Sequence, residues 1–129
     1  MKYDPDQWPD AAGWLAAPEL ELVDRVERYH EDARIRTPNP RAHYSIHVMV
    51  ENQAALADRT PVAEAIRRLT GQGLGRHDAI HAVGSVLLTH MNRATATNVP
   101  VSREAYFADV RALTAETWHR DYGLDAGED

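Results

Sequence analysis

The chain has 129 residues, 43% of them hydrophobic, no cysteine and a formal net charge of −6 at pH 7. That length predicts one domain over 1–129, able to bury a core without staples. The missing cysteines exclude disulfides, iron–sulfur clusters and thiolate zinc sites, and the acidic balance disfavours a nucleic-acid partner.

Residues 1–17 read as an irregular arm. Pro5 and Pro9 break any helix there, and Trp8, Trp14 and Leu15 are expected to pack the arm on the body. The segment MKYDPDQWPD is acidic and lacks an apolar run, so it does not read as a signal peptide. No apolar stretch is long enough to span a bilayer. The expectation is therefore no membrane partner and a cytoplasmic location. Pro18 suits the first turn of a helix running to about Arg34. Its apolar stripe is Leu22, Val26, Tyr29 and Ala33, flanked by Val23 and His30.

The segment Thr37-Pro38-Asn39-Pro40 breaks the chain. Asn39 as N-cap and Pro40 at the first helical position predict a helix to about Ala57. Asp58-Arg59-Thr60-Pro61 repeats that logic: Thr60 caps and Pro61 starts a short helix to about Thr70, which Gly71, Gly73 and Gly75 end. The next helix covers roughly Arg76 to Ala94. It is apolar almost all round through Ile80, Val83, Val86, Leu87, Leu88 and Met91, which predicts a central position. Beyond the polar linker 95–100, Ser102 caps a last helix carrying Tyr106, Val110, Leu113 and Trp118. Residues 122–129 form an acidic tail expected to fray. No segment reads as a strand pair. The expected fold is all-α, a compact helical bundle of four main helices plus a short helix.

Five residues with metal-ligand chemistry fall in two of these helices at one-turn spacing. They are His43, His47 and Glu51 in the second helix, and His77 and His81 in the helix after the glycines. Residues four apart lie on one helix face, one above the next. On a wheel of ~100° per residue, His43 and His47 fall within the apolar face and Glu51 at its edge. His77 and His81 lie close to Gly84 and Leu88, and the small Gly84 and Ser85 let a neighbouring backbone approach. Neutral imidazole is the commonest metal ligand in proteins. Two i, i+4 pairs offer up to four nitrogens and Glu51 an oxygen, a set suited to Zn²⁺, Fe²⁺, Ni²⁺ or Mn²⁺. Arg76 is positioned to pair with Glu51 beside the ligands. His77 sits at a helix start, where the dipole disfavours the imidazolium.

A single HxxxH pair is more often structural than metal-binding. Two pairs, one extended by a carboxylate at the next turn, favour a metal. His30, at the edge of the first helix's stripe, is a further candidate ligand. His90 and His119 fall on other faces and read as ordinary residues. The turn Gly71-Gln72-Gly73-Leu74-Gly75 lacks the preceding strand and the lysine of a phosphate-binding loop, so it reads as geometry alone. No nucleophile motif occurs.

The stretch Asn39-Pro40-Arg41-Ala42-His43 through His47, Glu51 and Gln53 resembles a motif of small bacterial proteins grouped as domains of unknown function. These carry an Asn-Pro, two-histidine, Glu-x-Gln or Glu-Gln signature. Arg76-His77-Asp78-Ala79-Ile80-His81-Ala82-Val83-Gly84 looks like the partner motif. The resemblance covers about Asn39 to Met91, and it implies no particular activity. The residues thus point to a metal-binding helical protein. If it is an enzyme, a metal-dependent hydrolase or oxidoreductase of a small molecule is expected, with the histidines as ligands and Glu51 as a fifth ligand or as general base. The alternative is a non-enzymatic interaction or regulatory module with structural histidines. Substrate, catalytic residues, metal identity and oligomeric state are not legible at this level.

Overall fold

The structure, a computed structural model, describes residues 2–37 and 39–122. Its regular secondary structure among those residues is entirely helical: α1 (Ala11–Ala16), α2 (Glu19–Asp32), α3 (Pro40–Ala55), α4 (Val62–Gly71), α5 (Arg76–Thr97), α6 (Arg103–Ala112) and α7 (Ala115–Tyr122), with one 3-10 turn at Ala57–Arg59. The all-α expectation holds. The count does not, since seven α-helices stand where four main helices and a short one were expected. Of the expected tail, 122–129, Tyr122 closes α7 and the rest lies outside the described residues.

Two local causes account for the extra helices. The arm is not irregular throughout, because Asp10 caps α1 by accepting the Gly13 N–H at 2.9 Å, the N-cap interaction that starts a helix. The expected last helix splits at Leu113, whose backbone is extended. There the Thr114 N–H donates to Thr117 Oγ1 at 3.0 Å, and the Thr117 N–H donates back to Thr114 Oγ1 at 3.1 Å. This reciprocal pairing works like a capping box and opens a new helix. The carbonyls that the break leaves over are also used: Arg68 donates to Val110 O and Leu113 O, both at 2.9 Å. Such pairing answers the need of helix C-termini for donors.

Other boundaries follow their signals. Ser102 Oγ accepts the Ala105 N–H at 3.1 Å and caps α6. Thr60 Oγ1 accepts from Val62 N at 3.2 Å ahead of α4. Asn39 precedes α3 without a side-chain cap bond, so Pro40 alone marks that start. Helix α5 runs past Ala94 to Thr97, where Asn98 adopts φ 55°, the left-handed geometry asparagine tolerates.

The buried apolar residues form two clusters. The larger joins α3, α4, α5, α6 and α7 around Val50, Ile66, Leu69, Ile80, Val83 and Trp118. The smaller joins the arm, α1, α2 and α3 through Tyr3, Trp14, Leu22, Val26, Tyr44 and Val48. Helix α3 serves both, with Val50 turned to one and Val48 to the other. Helices α3 and α5 meet closely at Gly84, where a Cβ would stand 3.0 Å from Ile46 Cγ2. A branched side chain there must push the helices apart. Gly84→Val is therefore expected to destabilise the protein by about 1–3 kcal/mol, read as a lower urea midpoint at unchanged m-value. An unchanged midpoint would show that the α3–α5 contact is looser than described.

Candidate metal centre

The site lies where α2, α3 and α5 meet, between the two apolar clusters. From α2 comes His30, one turn beyond Val26. From α3 come His43, His47 and Glu51, and from α5 come Arg76, His77 and His81. Four residues, His30, His47, His77 and His81, each offer a ligand atom within 4.8 Å of the others. Their rings pack edge to face or tilted. The centroid separations are 4.4 Å for His77–His81, 5.2 Å for His47–His77, 5.3 Å for His30–His77 and 5.7 Å for His30–His47. His30 and His47 are fully buried, His77 and His81 partly so.

The sequence-predicted residues divide. His47, His77 and His81 belong to this four-histidine group. His43 stands at its rim: its ring lies 4.8 Å from that of His81, and its Nε2 lies 3.2 Å from His30 Nε2. Glu51 is 1% exposed and engaged elsewhere. Its Oε1 accepts from Arg76 Nη2 at 2.8 Å, and its Oε2 accepts from Arg76 Nη1 at 2.8 Å and from the Tyr3 hydroxyl at 2.5 Å. The expected pairing of Arg76 with Glu51 is therefore present, in the bidentate form that arginine favours with carboxylates. His90 bonds Asp109 at 2.6 Å, away from the cluster, and His119 is exposed.

The proton of His30 can be placed by elimination. Its Nδ1 lies 2.8 Å from the carbonyl oxygen of Val26, which only accepts, so Nδ1 carries the hydrogen. Nε2 is then turned toward the other imidazoles, with His43 Nε2 3.2 Å away. A backbone carbonyl bound to the remote ring nitrogen is the arrangement that orients metal-ligating histidines. His47 is pushed well below the ordinary imidazole range, first by burial and then by the neighbouring imidazoles of His81, His77, His30 and His43. It is held neutral, the form that binds metals. Its Nδ1 is buried and has no hydrogen-bond partner.

Two contributors went unassigned at the level of sequence. His30 was only a further candidate; its signal was its place one turn from Val26 on the apolar stripe. Tyr3 gave no signal, because a single aromatic in an acidic arm shows nothing of a partner 44 residues away. The arm is fastened over the site by Arg76, whose Nη1 donates to Pro5 O at 2.8 Å and whose guanidinium lies 4.4 Å from the Trp8 ring centre. Arg67 lies over the same ring at 4.8 Å.

No family model, no curated protein and no solved structure matches the chain.

Two outcomes follow from the burial of these charges and imidazoles. Truncating Glu51 to alanine strands the Arg76 guanidinium, which is 6% exposed. The expected cost is about 3–5 kcal/mol, measured by urea unfolding of metal-free protein; a loss below about 1 kcal/mol, the surface-pair range, would contradict it. The second concerns pH. The unfolded chain protonates His47 near its ordinary value of about 6.5, whereas the folded protein holds it neutral to lower pH. The unfolded state thus binds more protons below that point, and stability must fall as pH drops through it. Tyr3 is raised well above its ordinary value, chiefly by burial and then by Glu51. The unfolded chain loses that proton first, so stability must also fall above about pH 10. A stability profile flat from neutral pH down to about 5 would contradict the buried neutral imidazole.

Proposed function

We propose that the protein binds one divalent transition-metal ion through His30, His47, His77 and His81. The supporting observation is the convergence of four imidazole donors from three helices within 4.8 Å. An apolar packing motive alone would not gather imidazoles in this way, since each brings polar ring nitrogens that need partners when buried. One of those nitrogens, His47 Nδ1, is buried without a partner, the state an ion would relieve.

The donor set narrows the ion. Four neutral nitrogens and no carboxylate favour Zn²⁺, Fe²⁺ or Ni²⁺ over the oxygen-seeking Mn²⁺, and over Mg²⁺ or Ca²⁺. Glu51 enters this reading through its ion pair with Arg76, not as a ligand. That leaves His43, at the rim, as the group closest to a fifth position. Four imidazoles complete a tetrahedron around Zn²⁺ and would make the ion a structural one. An ion taking five or six ligands keeps positions for water or a small-molecule substrate, and that is the form in which hydrolase or oxidoreductase chemistry enters.

Elemental analysis of untagged protein tests the reading. About one transition-metal ion per chain is expected, with retention lost in the double variant His47→Ala/His81→Ala. Full metal content in that variant, or none in the native protein after reconstitution with excess Zn²⁺, Fe²⁺ and Ni²⁺ in turn, would refute it. Where an ion is held, an excess of 100 times its dissociation constant should stabilise the fold by about 2.7 kcal/mol.

A further inference from the structure

We propose that Tyr3 is a positioning residue of the metal centre: together with Glu51 and Arg76 it keeps the proton of His47 on Nε2 and so turns Nδ1 into the metal-binding atom. The proposal rests on the metal reading above and adds a residue and a ligand atom to it.

Proton bookkeeping supports it. The Tyr3 oxygen lies 2.6 Å from His47 Nε2 and 2.5 Å from Glu51 Oε2. The hydroxyl has a single hydrogen to give. Glu51 receives a hydrogen bond from Arg76 on each of its oxygens, and Oε2 also accepts the Tyr3 hydroxyl. The Tyr3 hydrogen therefore points to Glu51. The remaining short contact requires a donor on the His47 side, so Nε2 carries the ring proton. In a neutral imidazole the other nitrogen then holds the lone pair, and Nδ1 is the buried atom without a hydrogen-bond partner. The chain Arg76–Glu51–Tyr3–His47 thus leaves one acceptor unmatched, and that acceptor belongs to a member of the four-histidine group.

The electrostatics act in the same direction. Negative charge on Glu51, passed through the Tyr3 hydroxyl, attracts the Nε2 hydrogen and raises the electron density at Nδ1. A carboxylate behind a histidine is known to strengthen a metal ligand in this way; here a tyrosine is interposed. His30 is oriented by the opposite choice, with Nδ1–H bound to the Val26 carbonyl and Nε2 turned inward. The two buried histidines present different nitrogens because their outer partners differ. Since Arg76 also binds the Pro5 carbonyl, docking of the arm and occupancy of the centre are coupled. By linkage, each strengthens the other equally.

Tyr3→Phe isolates the hydroxyl. The ring keeps its packing against Trp14, at 5.4 Å between centroids, and Tyr29, at 6.2 Å. Zn²⁺ affinity, measured by competition with a chromophoric chelator, is expected to fall about 10- to 100-fold, with the circular dichroism of the metal-free protein unchanged. The readout that a merely structural role would not move is the His47 tautomer. Long-range ¹H–¹⁵N correlation spectra of metal-free native protein should show Nε2 protonated and Nδ1 bare, and Tyr3→Phe should lose that preference. This measurement on the native chain decides the proton placement even if the variant folds poorly. Protonation at Nδ1 in the native protein would overturn the proposal, as would a Zn²⁺ affinity indifferent to Tyr3→Phe. Failure of the metal reading itself looks different: a native protein with the Nε2–H tautomer that takes up no ion overturns the centre, and the proposal with it.

Discussion

The bidentate pair between Arg76 and Glu51 is the constraint on which the rest of the site depends. Both side chains are almost wholly buried, and taking two charges out of water costs several kcal/mol per ion unless geometry and further hydrogen bonds offset it. Here they do. Both carboxylate oxygens are used, one of them twice, and the guanidinium also meets a backbone carbonyl and an aromatic face. The pair therefore ties α3 to α5 and draws the arm down on both. Beside it His47 is held neutral, first by its burial and then by the neighbouring imidazoles.

Five imidazoles gather beside that pair. Protonated rings at centroid separations of 4.4–6.1 Å would repel strongly in a medium of low dielectric. Neutral rings pack edge to face like other aromatics. The apolar clusters hold the helices in place, and the four donors stand within 4.8 Å of one another. Such preorganisation would lower the cost of binding an ion, because the side chains would lose little freedom on capturing it. Gly84 belongs to the same design, since the close approach of α3 and α5 brings the two histidine ladders within reach of one another.

Much of this was visible along the chain, and particular residues show why. The ladders His43–His47–Glu51 and His77–His81 depend only on helical period, which local sequence controls, and both helices form. The pairing of Arg76 with Glu51 could be anticipated because Glu51 ends one ladder and Arg76 stands next to the start of the other. The break at Leu113 was not visible, for it lacks glycine and proline and depends on Thr114 and Thr117 trading hydrogen bonds and on Arg68 reaching across from α4. The short α1 was masked by the two prolines before it, although Asp10 is an ordinary cap. His30 was harder still, since nothing in a stripe of Leu22, Val26 and Tyr29 says that the next turn faces another helix's imidazoles.

Local sequence thus determined the helical class, most helix ends and which imidazoles share a face, because these follow from backbone propensity, capping and a period of ~3.6 residues. The tertiary structure decided the rest. It selected His30 into the group and left His43 at the rim, because the angle at which α2 crosses α3 and α5 is a product of packing between apolar clusters. It turned Glu51 toward Arg76 and Tyr3, because a buried carboxylate takes the nearest donors, and those came from α5 and from a residue 48 positions away. The tautomers of the buried histidines were decided last. Each ring nitrogen is set by the partner behind it, a carbonyl for His30 and a tyrosine hydroxyl for His47, and only the folded chain supplies those partners.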